Sequence, residues 1–496
     1  MITMLGVNVR LAKKVNTASW ILGFGILILG AFSVSQEIWA SPDRTSAKAS
    51  HFANKLHRPF VVKATLSDDI VFLDKLAEDT WTYLSSDWAT DNHLPWSWRS
   101  ATITGGDYTN TAEIGFYALS WLGAYDMAQP WSPSWEEVEI EITAILDRLR
   151  AWQTGSQIYQ PNGPNAYNNS VFYQWYWINW DEPVVGAGVS DHLVPSIDNA
   201  WLAASLITIR QYAAANGHDL LAQKADAIVA DMDFMLWYDA STHRFHWGDV
   251  ENPMDGGEID YYSNENRITN FVAYALGQMS TAEFQRSLEA LIQVPATYGA
   301  ITVDMAAWDG SYFTYAGPAL FIREKDTFYG ENTMTPATQA QISYAQDEGY
   351  GVWGFSDCFD VADGGYVQQG ALPVASPSSP ETRPGLISPH ASALALNTPL
   401  VAEAISNLEV ISDTWSATYD DMYGFRDSVM AKTDDPDYGR VSERFSALNQ
   451  EWIFLSLMNT RTGFIWTYFY QDGGVLKAHL EMYGQRVYLP VVQNAD

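Results

Sequence analysis

The 496-residue chain has a single cysteine, Cys358, so no intrachain disulfide can form and a thiolate-ligated zinc site is excluded. Stability must come from a packed core, which a chain of this length with 47% hydrophobic and 14% aromatic residues can supply. Basic residues are scarce: 27 Lys and Arg stand against 59 Asp and Glu, a formal charge of −32. A field of that sign repels phosphate backbones and anionic headgroups, which argues against nucleic acid and acidic polymers as partners and suits a neutral substrate better. The nine histidines nowhere show the His-x-x-x-His or His-Glu-x-x-His spacing of a helical metal site. A Gly-x-Ser-x-Gly elbow and a Gly-rich phosphate loop are also lacking, so serine-hydrolase and nucleotide-driven classes drop out. No metal and no cofactor is expected.

Near the N-terminus the apolar stretch Trp20 to Val34 follows Arg10, Lys13 and Lys14 and precedes Ile38-Trp39-Ala40. Residues 1–40 therefore read as a secretory signal, with an uncleaved membrane anchor as the alternative, because the apolar stretch is shorter than the roughly twenty residues of a spanning helix. Either way the chain is expected outside the cytoplasm, secreted or in the cell envelope, meeting membrane only through that segment if it is uncleaved. Its loss removes three basic residues and one acidic residue and leaves a formal charge of −34. Residues 41–66 read as a linker, 67–485 as one domain and 486–496 as a tail.

From Asp68 onward, helical periodicity dominates. Ile70, Leu73, Leu76, Ala77, Trp81 and Leu84 fall at the three-and-four spacing of one buried face, and the pattern returns at Val138, Ile142, Ile145, Leu149 and Trp152. Helices are expected near 68–85, 110–126, 134–152, 197–214, 219–237, 265–279, 282–292, 336–346, 390–396, 399–415 and 443–459. An all-α chain of this kind, with long Gly-, Pro- and aromatic-rich loops, suggests an α/α toroid whose loops form a cleft at one end. A helical solenoid is the alternative, weakened by the lack of a fixed-period repeat. Residues 373–386 read as an exposed excursion.

Four motifs pair an aromatic ring or an imidazole with small residues and a hydrogen-bonding group: Trp308-Asp309-Gly310-Ser311, Val352-Trp353-Gly354-Phe355-Ser356-Asp357, Ser388-Pro389-His390-Ala391 and Tyr423-Gly424-Phe425-Arg426-Asp427-Ser428. That is the chemistry needed to hold a sugar, whose C–H faces stack on rings while its hydroxyls find polar groups. Trp175 and Trp177 stand in a second aromatic cluster, Phe172 to Trp180, which is either core or cleft wall. Glu265 opens an expected helix after Tyr261 and Tyr262. There a helix N-terminus would keep it ionised, while burial would raise its pKa toward that of a general acid. Asp198 also sits at a helix start, where capping is common. Asp427 follows a Gly-containing turn among rings and is the better site candidate of the two.

In this order the motifs resemble the glucoamylase-like family, which includes bacterial endo-β-1,2-glucanases and the C-terminal region of cyclic β-1,2-glucan synthases. The resemblance runs over roughly 196–460, through Ile197-Asp198, Ser263-Asn264-Glu265, Trp308 to Phe313, Val352 to Ser356, Ser388 to Ala391, Tyr423-Gly424-Phe425 with Asp427, and Leu448-Asn449-Gln450. It implies an (α/α)6 barrel and hydrolysis of a neutral polysaccharide or oligosaccharide, with β-1,2-glucan as leading candidate and inversion as the stereochemical outcome. It further implies that Glu265 is the general acid, that Asp427 activates water, and that Asp198 supports the site. Trp175, Trp177, Trp308 and Trp353 are expected to stack on sugar rings, and Asp309, Asp357, His390 and Tyr423 to complete the substrate contacts. Asn266, Asp357 and the Asn449-Gln450-Glu451 element depart from the family's pattern. The competing expectation is a non-catalytic carbohydrate-binding envelope protein on the same fold.

Overall fold

The computed structural model describes residues 67–162, 169–187, 189–376 and 383–484. The expected signal segment, the 41–66 linker, the 486–496 tail and the middle of the 373–386 excursion lie outside them.

Fourteen α-helices are present among the described residues: α1 (Ser67–Leu84), α2 (Thr111–Asp126), α3 (Trp135–Thr154), α4 (Ser196–Ala215), α5 (Asp219–Ala230), α6 (Arg267–Ala275), α7 (Thr281–Glu289), α8 (Tyr312–Ala316), α9 (Thr335–Asp347), α10 (Pro389–Ala395), α11 (Val401–Thr414), α12 (Ala447–Thr462), α13 (Phe464–Phe469) and α14 (Gly473–His479). Among the first twelve, burial alternates. In α2, thirteen of sixteen residues are buried, and α4, α6, α10 and α12 are likewise enclosed around nearly their whole circumference, as helices packed among other helices must be. The odd-numbered helices bury a single stripe, such as Val138, Ile142, Ile145, Leu149 and Trp152 of α3, and turn the rest to solvent.

Contacts follow the same alternation. Helix α2 packs against both α4 and α12, α4 against α6, α8 against α10, and α10 against α12. The link from α6 to α8 is polar: the buried Arg267 guanidinium donates to the Thr314 carbonyl (2.8 Å) and the Tyr315 carbonyl (2.7 Å), and its charge is met by the Glu324 carboxylate at 2.7 and 2.8 Å. Between α2 and α12 the approach leaves no room for a side chain, since a Cβ on Gly123 would fall 1.4 Å from the Met458 sulfur. Capping boxes start three helices, Asn110 with Glu113, Ser134 with Glu137 and Ser280 with Glu283.

The structure adds α8, α13 and α14, which were not among the expected segments, and shifts the bounds of several others. The helix anticipated from 265 begins at Arg267, that over 219–237 stops at Ala230 before a 3-10 turn at Phe234–Trp237, and that over 443–459 begins at Ala447. The last shift occurs because Arg444–Ser446 instead pairs as a strand with Trp98–Ser100. All-α is likewise an incomplete description, for among the described residues the loops hold eight two-stranded antiparallel ladders of two or three residues per strand. Among the described residues, no helix is long and apolar enough to cross a membrane.

Candidate active site

The N-terminal ends of α2, α4, α6, α8 and α12 converge on a cavity of about 690 Å3. Ala112 and Glu113 of α2, Ile197 and Asp198 of α4, Glu265 just before α6, Phe313 of α8, and Ser446 and Leu448 at the start of α12 all line it. Its most deeply buried lining rings, Trp201 and Trp452, meet edge to face at 5.4 Å. The walls come from the short ladders. Asn110 pairs with Trp175, placing Tyr108 and Trp175 edge to face at 5.3 Å, and Trp98 pairs with Ser446. The hairpin of Cys358–Phe359 with Tyr366–Val367 brings in Phe359 and Tyr366. Arg444 lies over the Trp98 ring at 4.0 Å and the Phe359 ring at 4.4 Å, a cation held by faces rather than by a carboxylate.

Glu265 is buried at 8% exposure, and no hydrogen-bond partner reaches its Oε2. The turn that carries it is pinned on both sides: the Ser263 hydroxyl donates to the Met305 carbonyl (2.7 Å), and Asn264 Oδ1 accepts the Trp308 amide (3.1 Å). Burial, then the neighbouring Asp309 charge, raises its pKa to about 8 against the weaker pull of its own backbone amide and Arg267. Of the two opposing effects, burial outweighs the helix N-terminus at this carboxyl. The group is mostly protonated at neutral pH.

Three further carboxyls share its surroundings. Asp309, pushed up to about 6 by burial, accepts the Ser311 amide at 2.9 Å. Asp357 accepts the Gln369 amide at 2.9 Å, and burial together with the Asp309 charge raises it well above the usual carboxylate range. Asp198 is raised by burial and held by Asn110 and Gln174. Asp427 lies behind the cavity wall rather than on it. Its Oδ2 accepts the Phe359 amide at 2.5 Å and its Oδ1 the Asn449 side-chain amide, and burial lifts it to about 7. Tyr366, about half exposed as a residue, has its phenol pushed up first by burial and then by the nearby charges of Asp357, Asp427 and Glu265.

The expected substrate contacts divide. Trp175, Asp198 and Glu265 line the cavity, and Asp309 and Asp357 stand next to Glu265. Trp177 and the exposed Trp308 lie outside the lining, Trp177 packing on Trp180 at 5.1 Å. Trp353 and His390 are buried away from the cavity, which corrects their expected role, and the partly buried Tyr423 lies outside the lining. Trp353 is a core ring against Tyr312, held by Asn407 at both its amide and its carbonyl. The His390 imidazole is a strut between the hydroxyls of Ser388 (2.6 Å) and Ser356 (2.8 Å), and burial depresses its pKa to about 3, so it stays neutral. Tyr423 stacks on Trp88 at 5.0 Å. Trp353 is drawn inward because its large apolar ring gains from burial, whereas His390 is held by its two hydroxyl partners.

Glu113, Arg444, Tyr366 and Trp247 were not anticipated at the site. Glu113 had a sequence signal, Asn110-x-x-Glu113, but that pattern points to a capping box, and the residue does accept the Asn110 amide (2.7 Å) and the Ser97 hydroxyl (2.8 Å). Its other face meets the cavity, and burial raises it to about 7. The remaining three sit on two- or three-residue strands or loops that carry no periodicity.

Comparison with known proteins agrees with this architecture. A family model described as "Putative glucoamylase" matches residues 264–472. No curated protein sequence matches the chain. Among solved structures, a protein of the same description from Bacteroides fragilis NCTC 9343 superposes with a TM-score of 0.69 at 17% identity, over 86% of this chain and 99% of its own. An endo-β-1,2-glucanase from Chitinophaga pinensis, in complex with sophorotriose and glucose, gives 0.68 at 16% identity over 84% and 99%. A mutant endo-β-1,2-glucanase from Talaromyces funiculosus, in complex with β-1,2-glucan, gives 0.61 at 14% over 88% and 93%. The chain thus has the fold of these proteins, and it resembles the glucoamylase-like family through both the matched segment and the ordered motifs.

Proposed function

We propose that the protein is an exported glycoside hydrolase of (α/α)6-barrel architecture that cleaves a neutral glucan, β-1,2-glucan foremost. The observation that carries this reading is Glu265: a buried carboxyl, protonated at neutral pH, with one oxygen unpartnered, in an aromatic-walled cavity of about 690 Å3. A group in that state can donate a proton to a glycosidic oxygen, the step that makes the sugar leaving group viable. Asp427, near half-ionisation at pH 7, serves as base. Asp427 stands behind Phe359 rather than on the cavity wall, so it would act on the sugar through an intervening water, and inversion is favoured by the family resemblance. Trp175 and Trp247 offer ring faces for the glucan, and Asp198 and Glu113 offer acceptors for its hydroxyls. The β-1,2 linkage is favoured by the endo-β-1,2-glucanases that share the fold.

The test is incubation of the purified protein with β-1,2-, β-1,3- and α-1,4-glucans followed by product analysis. Release of oligosaccharides from β-1,2-glucan, with the anomeric configuration inverted by NMR, is the expected result. Absence of products from every glucan, with retained glucan binding, would instead identify a non-catalytic carbohydrate-binding protein.

A further inference from the structure

We propose that Asp239, His246 and Glu258 form a binding site for a divalent transition-metal ion such as zinc, on the hairpin that supports one wall of the cavity. Their candidate ligand atoms, one from each side chain, all lie within 4.8 Å of one another. The backbone brings them together. Tyr238–Asp239 pairs antiparallel with Arg244–Phe245, His246 forms a bridge with Glu258, and the His246 amide donates to the Trp237 carbonyl at 2.8 Å. Three segments thus present an imidazole and two carboxylates at one place.

The second observation is His246 itself. Both ring nitrogens are shielded from solvent and neither has a hydrogen-bond partner. Buried polar atoms in native proteins are nearly always partnered, so a ring with both nitrogens unsatisfied is short of a ligand. A cation coordinated by one nitrogen supplies it. The carboxylates are held from behind, as metal ligands commonly are: Asp239 Oδ1 accepts the Ser241 amide at 2.7 Å, and Glu258 Oε2 takes Arg244 at 3.2 Å. Arg244 is itself fixed to the Ala290 carbonyl at 2.6 and 3.0 Å, so it orients Glu258 from the side rather than filling the site. One nitrogen with two oxygens selects zinc-like ions over calcium or magnesium, which prefer all-oxygen shells, and leaves room for water as the remaining ligand. The spacing is invisible to a search for helical pairs, since His246 and both carboxylates come from strands and loops.

The site has a structural consequence. Trp247, the residue after His246, lines the cavity, and its carbonyl accepts the Ser196 amide (3.0 Å) at the start of the helix that carries Asp198. A bound ion would clamp that wall.

The test uses the full chain, freed of metal by chelator and dialysis and then titrated with zinc chloride. One zinc per chain is expected, with a melting temperature raised by about 3–5 °C at a hundredfold excess over the dissociation constant. Glu258→Gln, which preserves volume, and His246→Ala should each weaken binding at least tenfold. The proposal is overturned if the chain takes up no zinc, if magnesium or calcium binds as well as zinc, or if both variants keep wild-type affinity. Because the readout is binding and melting, its failure is separable from that of the glucanase reading.

Discussion

At the residue scale, the chemistry turns on where protons sit. Glu265 is raised to about 8 and Asp427 to about 7, so kcat/KM on a glucan should rise as Asp427 ionises, fall as Glu265 loses its proton, and peak between those values. Asp309 supplies the largest charge contribution to the Glu265 shift. Asp309→Asn should therefore move the alkaline limb of that profile to lower pH, while a limb left in place would show that burial alone sets it. Little of this was legible in sequence. The motifs located Glu265 and Asp427, but burial decides protonation, and a position beside a helix start equally permits an ionised, dipole-paired carboxylate. His390 shows the reverse case: flanked by Ser388 and Pro389 it had the makings of a sugar contact, yet two hydroxyls claim both of its nitrogens.

At the element scale, the motifs are segments that enter or brace the enclosed helices, and their small residues answer to packing. Gly354 has φ +136°, and a Cβ there would lie 2.7 Å from the Ser388 carbonyl oxygen, the segment that opens α10. Gly354→Ala should therefore destabilise the fold by about 1–3 kcal/mol, read as an earlier midpoint in urea unfolding. An unchanged midpoint would mean that the loop relaxes freely. The buried stripes of α1 and α3 were plain in the sequence because a period of 3.6 repeats over 18 and 20 residues. The ladders that place Trp98, Trp175 and Tyr366 were not, because alternation cannot declare itself in two or three residues.

At the scale of the whole molecule, the site is a concentration of buried acid. Glu113, Glu265 and Asp427 all have folded pKa values above those of exposed carboxyls, so between about pH 4.5 and 8 the folded state holds protons that the unfolded chain has released. Their favourable contribution is fully present below the unfolded values and is lost as pH rises through the folded ones. The melting temperature should accordingly fall from pH 5 to pH 9, and Glu265→Gln should reduce that fall. An equal slope in the variant would remove Glu265 from the account. The most direct measurement of the central claim is the rate of β-1,2-glucan hydrolysis by wild type and Glu265→Gln near pH 7.5. The account predicts turnover by the wild type and a loss of about 10²–10⁴-fold in a variant that still folds. Equal rates in the two proteins, or no hydrolysis by either, would contradict it.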